Sequence, residues 1–198
     1  MALPTRCFVA VAAPPELADR LRALERPSRP GLRWTPEEQW HVTLGFFEAV
    51  DPDALLDALG ARAASPAGLP AVEAVAGPAP RALARRVWIL PVEGLSELAA
   101  AVGEATAGLD RPPPEPPPPP APPGPPPPLG PPPPPRSSGP FRGHLTLARA
   151  RYPSALRRLP RPDLVVRWQV PEIMAVRSEL RSDGARHEVL RRWPLPRP

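Results

Sequence analysis

The sequence predicts an α+β fold of two similar lobes, each a β-α-β unit, related by a pseudo-two-fold around a central cleft. Three observations predict it. The run His41-Val42-Thr43-Leu44 returns as His144-Leu145-Thr146-Leu147. Each copy is preceded by an apolar strand and a helix start, Phe8 to Val11 then Glu16-Leu17-Ala18 in the first half, Val87 to Leu90 then Glu97-Leu98-Ala99 in the second. The halves differ in spacing for a visible reason. Phe8 to His41 is 33 residues and Val87 to His144 is 57, and residues 112–135 are a 24-residue tract in which only Glu115, Ala121, Gly124, Leu129 and Gly130 are not proline. Without the tract the halves nearly coincide, as a duplication requires.

The elements follow in order. Residues 6–12 are an apolar strand ended by Pro14 and Pro15, and Pro15 suits the first turn of a helix whose stripe, Leu17, Leu21 and Leu24, runs to about Arg26. A turn at 27–31 leads to a short strand near Trp34. In the first motif strand, strict alternation puts His41, Thr43 and Gly45 on one face and Val42, Leu44 and Phe46 on the other. Asp51 and Pro52 read as N-cap and first residue of a helix to about Ala64, with Leu55, Leu56 and Leu59 inward. A turn at 65–68 precedes strands near 71–76 and 86–90, joined as a hairpin by Gly77-Pro78. A helix over 95–109 follows, with Leu95, Leu98, Val102 and Leu109 on one side. After the second motif strand come a helical turn within 152–159, strands at 164–170 and 172–180, a turn at 182–184, and a last strand near 188–193.

Length and composition suit one bilobal domain over residues 1–198, with 112–135 as a low-complexity insertion. Hydrophobic residues make up 42% of the 198, enough for a substantial core. All 25 basic residues are arginine, and lysine and asparagine are absent, which a GC-rich coding bias explains first. The net charge of +5 nevertheless favours polyanionic partners, and the planar guanidinium fork suits phosphate. The single cysteine, Cys7, falls in a buried strand and has no second cysteine to pair with, as in a reducing compartment. No apolar run reaches the ~20 residues of a membrane span. These features predict a cytoplasmic protein with no membrane partner, working as a monomer.

The chemistry follows from the repeat. With five threonines in 198 residues, chance places one two positions after a given histidine a few times in a hundred, yet two of the three histidines have one. Positions i and i+2 of a strand share a face, so each copy aims an imidazole and a hydroxyl the same way. Two histidines across a cleft supply a general base and a general acid, as in-line displacement at phosphorus requires, and the hydroxyls can donate to the non-bridging oxygens. The scheme uses no metal and no cofactor. The histidines lack local metal-ligand spacing, and no Gly-x-Ser-x-Gly elbow is present.

Two His-x-Thr motifs in tandem halves resemble the two-histidine (2H) phosphoesterase superfamily. The flanks resemble its RNA 2′,3′-cyclic phosphodiesterase branch, the 2′-5′ RNA ligase family. Residues 6–11, Trp34, His41 to Phe47, Val87 to Leu90, Phe141 to Arg149, Arg177-Ser178, Gly184 and Leu190 to Leu195 carry the resemblance. It implies hydrolysis of RNA or nucleotide 2′,3′-cyclic phosphates to 2′-phosphomonoesters, with His41 as proton donor, His144 as proton acceptor, and Thr43, Thr146 and Arg149 on the phosphate. The reverse reaction would join ends through a 2′-5′ linkage.

Alternation turns Arg149 away from the His144 face, so a bulge or the strand end has to turn it back. Gly143 stands where the family commonly has proline, which predicts a looser strand entry. His187 stands near a position often held by tyrosine and reads as a surface residue on a terminal strand. Trp34, Phe47 and Tyr152 are able to stack a nucleobase, although aromatics so placed more often serve the core. The proline tract favours polyproline II, which at 3.1 Å per residue would reach roughly 75 Å if straight, so it has to loop out. It reads first as a neutral expansion and second as a ligand for a proline-binding partner. The competing reading of the whole chain is a catalytically degenerate lobe pair that holds RNA ends or presents the tract.

Overall fold

The computed structural model describes residues 4–109, 140–181 and 184–197. The proline tract and the turn residues 182 and 183 lie outside the described residues. The elements are β1 (Thr5–Ala12), α1 (Pro15–Arg22), β2 (Leu32–Trp34), a 3-10 turn (Glu37–Gln39), β3 (His41–Val50), α2 (Pro52–Ala64), β4 (Glu73–Ala76), β5 (Arg81–Leu83), β6 (Val87–Glu93), α3 (Ser96–Ala105), β7 (His144–Ala150), a second 3-10 turn (Pro153–Leu156), β8 (Val166–Gln169), β9 (Glu172–Arg181) and β10 (Gly184–Pro194).

Among the described residues the strands form one sheet in the order β10-β9-β1-β3-β7-β6-β4-β8, with β2 beside β7 and β5 beside β6. The pseudo-two-fold passes between β3 and β7. On one side β1, α1 and β3 make the first half of the repeat, and on the other β6, α3 and β7 make the second. The lobes meet where Val42 faces Leu145, in the middle of the two motifs. Each lobe is finished by strands from elsewhere in the chain: β9 pairs with β1 and β10 with β9, while β4 joins β6 to β8.

The helices cover the face opposite the histidines. Leu17, Leu21, Leu55, Leu59, Leu98 and Val102 are all fully buried in a core shared with Cys7, Val9, Val42 and Leu90. Asp51 caps α2 by accepting from the Asp53 N–H at 3.0 Å, with Pro52 at the first helical position, as the sequence predicts. α1 stops four residues short of the predicted Arg26. Pro27 disfavours helical geometry at Arg26, whose guanidinium instead donates to the Leu21 carbonyl at 3.0 Å. α3 likewise ends at Ala105, where the Thr106 hydroxyl turns back to the Val102 carbonyl.

Two expectations are corrected. The predicted pairing of the strand near 71–76 with the one near 86–90 is present, Val75 against Glu93, but Gly77-Pro78 is not its hairpin turn. The hairpin is β5 to β6, closed by the three residues Ala84, Arg85 and Arg86, the first two at positive φ. The entry to the second motif is not loose. The Gly143 carbonyl accepts from the Val92 N–H at 2.9 Å, and a Cβ at Gly143 would stand 2.4 Å from the Val92 carbonyl oxygen.

A side chain at position 143 therefore has to push β6 away from the residue before His144. We expect Gly143→Ala to lower stability by about 1–3 kcal/mol, the usual range for forced overpacking, read as a shift in the urea midpoint. An unchanged midpoint would mean that β6 yields freely there.

Candidate active site

Each motif strand carries a β-bulge at the same place in its motif, and β3 has a second register shift between Phe47 and Val50. Along β3, Thr43 pairs with Ala10 and Gly45 with the adjacent Val9, leaving Leu44 as the extra residue. Along β7, Thr146 pairs with Ile89 and Ala148 with the adjacent Trp88, leaving Leu147. A bulge shifts the side-chain phase by one residue. Leu44 and Leu147 both remain buried, at 8% and 3% exposure, and from there on the faces exchange. Arg149 thereby comes round to the histidine side, by the bulge that alternation required. In β3 the same shift buries Phe47 and exposes Phe46, which corrects the expectation that Phe46 packs on the helices.

His41, Thr43, His144, Thr146 and Arg149 line one cavity of about 510 Å³. With Val42 opposite Leu145, the antiparallel register sets His41 towards Thr146 and Thr43 towards His144. The two imidazoles are held alike. The His144 ring lies 3.0 Å by Nδ1 from the Arg142 carbonyl, and the His41 ring bonds the Gln39 carbonyl, in each case two residues upstream. The bond in the second motif makes Nδ1 of His144 the donor and frees Nε2 for chemistry.

The surroundings of His41 disfavour its charged form. Burial, then the nearby His187, push its pKa down to about 4, with Arg149 and His144 adding to the effect and the Gln39 carbonyl opposing it. An acid with that pKa is almost wholly deprotonated at neutral pH, so His41 is a neutral imidazole in the cleft. Among the described residues no three His, Cys, Asp or Glu side chains gather as a metal site. Cys7 is buried outside the cleft, and burial raises its pKa, which marks a packing thiol rather than a nucleophile.

The aromatic expectations divide. Phe47 is in the core, Trp34 donates its indole N–H to the Pro27 carbonyl at 3.2 Å, and Tyr152 is half exposed under Arg151, away from the cleft lining. The accessible aromatic at the mouth is Phe46, 52% exposed, with the Arg6 guanidinium 5.7 Å from its ring centre and Leu180 beside it as an apolar rim. His187, expected on the surface, is half-buried and lines the cleft. Its signal is tertiary, because the strand that carries it reaches the site only by pairing β10 to β9 and β9 to β1.

The sequence pattern of the family described as LigT like phosphoesterase matches residues 11–78, which include the first motif. No curated protein matches the sequence. Among solved structures, TT0787 of Thermus thermophilus is 27% identical, with a TM-score of 0.64 over 96% of this chain and 97% of that one. Escherichia coli LigT complexed with ATP is 21% identical, with a TM-score of 0.66 over 98% and 99%. The same protein complexed with 3′-AMP is 23% identical, with a TM-score of 0.66 over 98% and 99%. No helix of the described residues is long and apolar enough to cross a membrane. A family match across the first motif, a second motif set in the same way in the other lobe, and a fold shared over nearly the whole of each compared chain make the chain similar to the LigT-like phosphoesterases of the 2H superfamily.

Proposed function

We propose that the protein hydrolyses the 2′,3′-cyclic phosphate ends of RNA to 2′-phosphomonoesters, without a metal ion and as one bilobal unit. The observation that carries this reading is the convergence of both His-x-Thr pairs and Arg149 on a single cavity. The arrangement has the parts that displacement at phosphorus uses: a proton acceptor, a proton donor, hydroxyl donors and a guanidinium. The nucleotide complexes of the E. coli relative support a phosphate-bearing ligand in such a cleft. The net charge of +5 supports a polyanionic one.

In this scheme Thr43, Thr146 and Arg149 hold the non-bridging oxygens, and the hydroxyls and guanidinium donate to the charge that builds there. One imidazole takes a proton from water as its oxygen forms the new bond to phosphorus. The other gives a proton to O3′ as the P–O3′ bond breaks, leaving a 3′-hydroxyl and a 2′-phosphate. The low proton affinity of His41 supports giving it the acceptor's part and His144 the donor's, the reverse of the order that the resemblance implies.

Purified protein, EDTA and an oligonucleotide ending in a 2′,3′-cyclic phosphate should give a 2′-phosphate product. His41→Ala and His144→Ala should each lose roughly 10²–10⁴-fold in kcat/KM. Absence of turnover, with the oligonucleotide bound and unchanged, would support the degenerate binding protein instead. The pH profile decides the order. With His41 as acceptor, kcat/KM falls on the acid side as the pH drops through about 4, because the base is then protonated. With His41 as donor, activity would instead fall as the pH rises above that value.

A further inference from the structure

Phe8 leaves β1 on the cleft side of the sheet, 4% exposed, in a small apolar patch with Ala10, Met174 and Val176. His41 lies flat on it, with ring centres 4.6 Å apart and an interplanar angle of 16°. His187 stands edge-on to both rings, 5.0 Å from Phe8 at 72° and 5.5 Å from His41 at 69°. The three rings also border a second cavity of about 260 Å³, so they form the partition between it and the cleft. β10 is fastened at the same point. The Gln39 side chain donates to the Ala185 carbonyl at 2.8 Å, two residues before His187, while the Gln39 carbonyl holds the His41 ring.

We infer that His187 is a positioning residue for His41: its edge clamps the His41 imidazole against Phe8, and its charge governs when His41 can be protonated. The meaning of this for catalysis rests on the proposed function, whereas the coupling is a property of the three rings. Edge-to-face contact is a preferred aromatic geometry, and it leaves His41 one orientation in which its hydrogen bond to Gln39 survives. Two positive rings at such a separation repel enough to displace a titration by about 1–2 pH units at the effective dielectric of a partly buried site. The pair therefore titrates jointly, and a proton on one ring opposes a proton on the other.

The groups facing His41 come from every side. β7 presents Arg149 and His144, and β10 presents His187, all three of which oppose a charged His41. Glu37 and Glu38 of the first 3-10 turn and Arg192 of β10 border the cavity behind the rings. Burial depresses His187 as well, so near neutrality both rings are uncharged. On acidification the more accessible His187 competes for the first proton, and its charge keeps His41 a free base to lower pH.

The chain has three histidines, so ring titration by NMR on the intact protein resolves them, with single His→Gln variants giving the assignments. His187→Phe keeps the edge-on ring and removes the charge, and His187→Gln removes both. The His41 midpoint is expected to rise by ~1 pH unit in His187→Phe. The acid limb of the pH–rate profile should rise with His41. His187→Gln should raise the midpoint equally and also lower turnover at all pH values, through loss of the clamp. A His41 midpoint within about 0.2 units of the parent in either folded variant overturns the inference. The titration needs no turnover: an inactive protein with a shifted midpoint rejects the proposed reaction and keeps the coupling, and an active one with an unshifted midpoint does the reverse.

Discussion

The site depends on a single extra residue in each motif strand. A strand with unbroken alternation can present the histidine and threonine of His-x-Thr-Leu to a cleft, but the residue five beyond the histidine then faces the helices. By bulging at Leu44 and Leu147, β3 and β7 keep a buried leucine as anchor and send the residue five beyond each histidine back to the cleft. In the second lobe that residue is Arg149, in the first Phe46. One device thus yields a cation on one side of the pseudo-two-fold and an aromatic surface on the other. The first lobe draws its cation from the neighbouring strand, where Arg6 lies over Phe46.

The lobes differ electrostatically as well. Both histidines are fixed by bonds to a carbonyl two residues back, so the asymmetry lies in what surrounds them. His41 is sandwiched between Phe8 and the edge of a third imidazole, and desolvation there costs the charged form more than the carbonyl returns. Near-identical motifs can therefore take opposite parts in proton transfer. The assignment of acid and base follows the environment, and the motif itself is silent on it.

The duplication was legible because a repeat is a comparison of the chain with itself. It located both motif strands and the helix starts without any knowledge of tertiary contacts. What it missed has a common cause. The exchange of Phe46 and Phe47 arises from a bulge, which changes no residue type and leaves no mark in the sequence. Arg149 was the exception, since its expected role contradicted its expected face and so demanded an irregularity. β5 is three residues long, and its turn uses Ala84 and Arg85 where glycine or asparagine would have advertised it. His187 read as a surface residue because its partners, Phe8 and His41, are far away along the chain and meet it only through the order of the strands.

That strand order has a consequence for how the protein comes into being on the ribosome. β1 emerges before every other described strand, yet its neighbour β9 and the strand beyond it, β10, emerge after all the others. Until then one edge of β1 has no partner, and the wall behind His41 is missing. The second lobe, bounded by β4 and β8, finds all its strands sooner. Synthesis thus delivers the strands of the lobe that carries His144 first, and the lobe that carries His41 closes only after β9 and β10 have followed. A topology so rich in distant pairings folds slowly, and it leaves the nascent chain with an exposed strand edge and an unwalled His41 until β9 and β10 have been made.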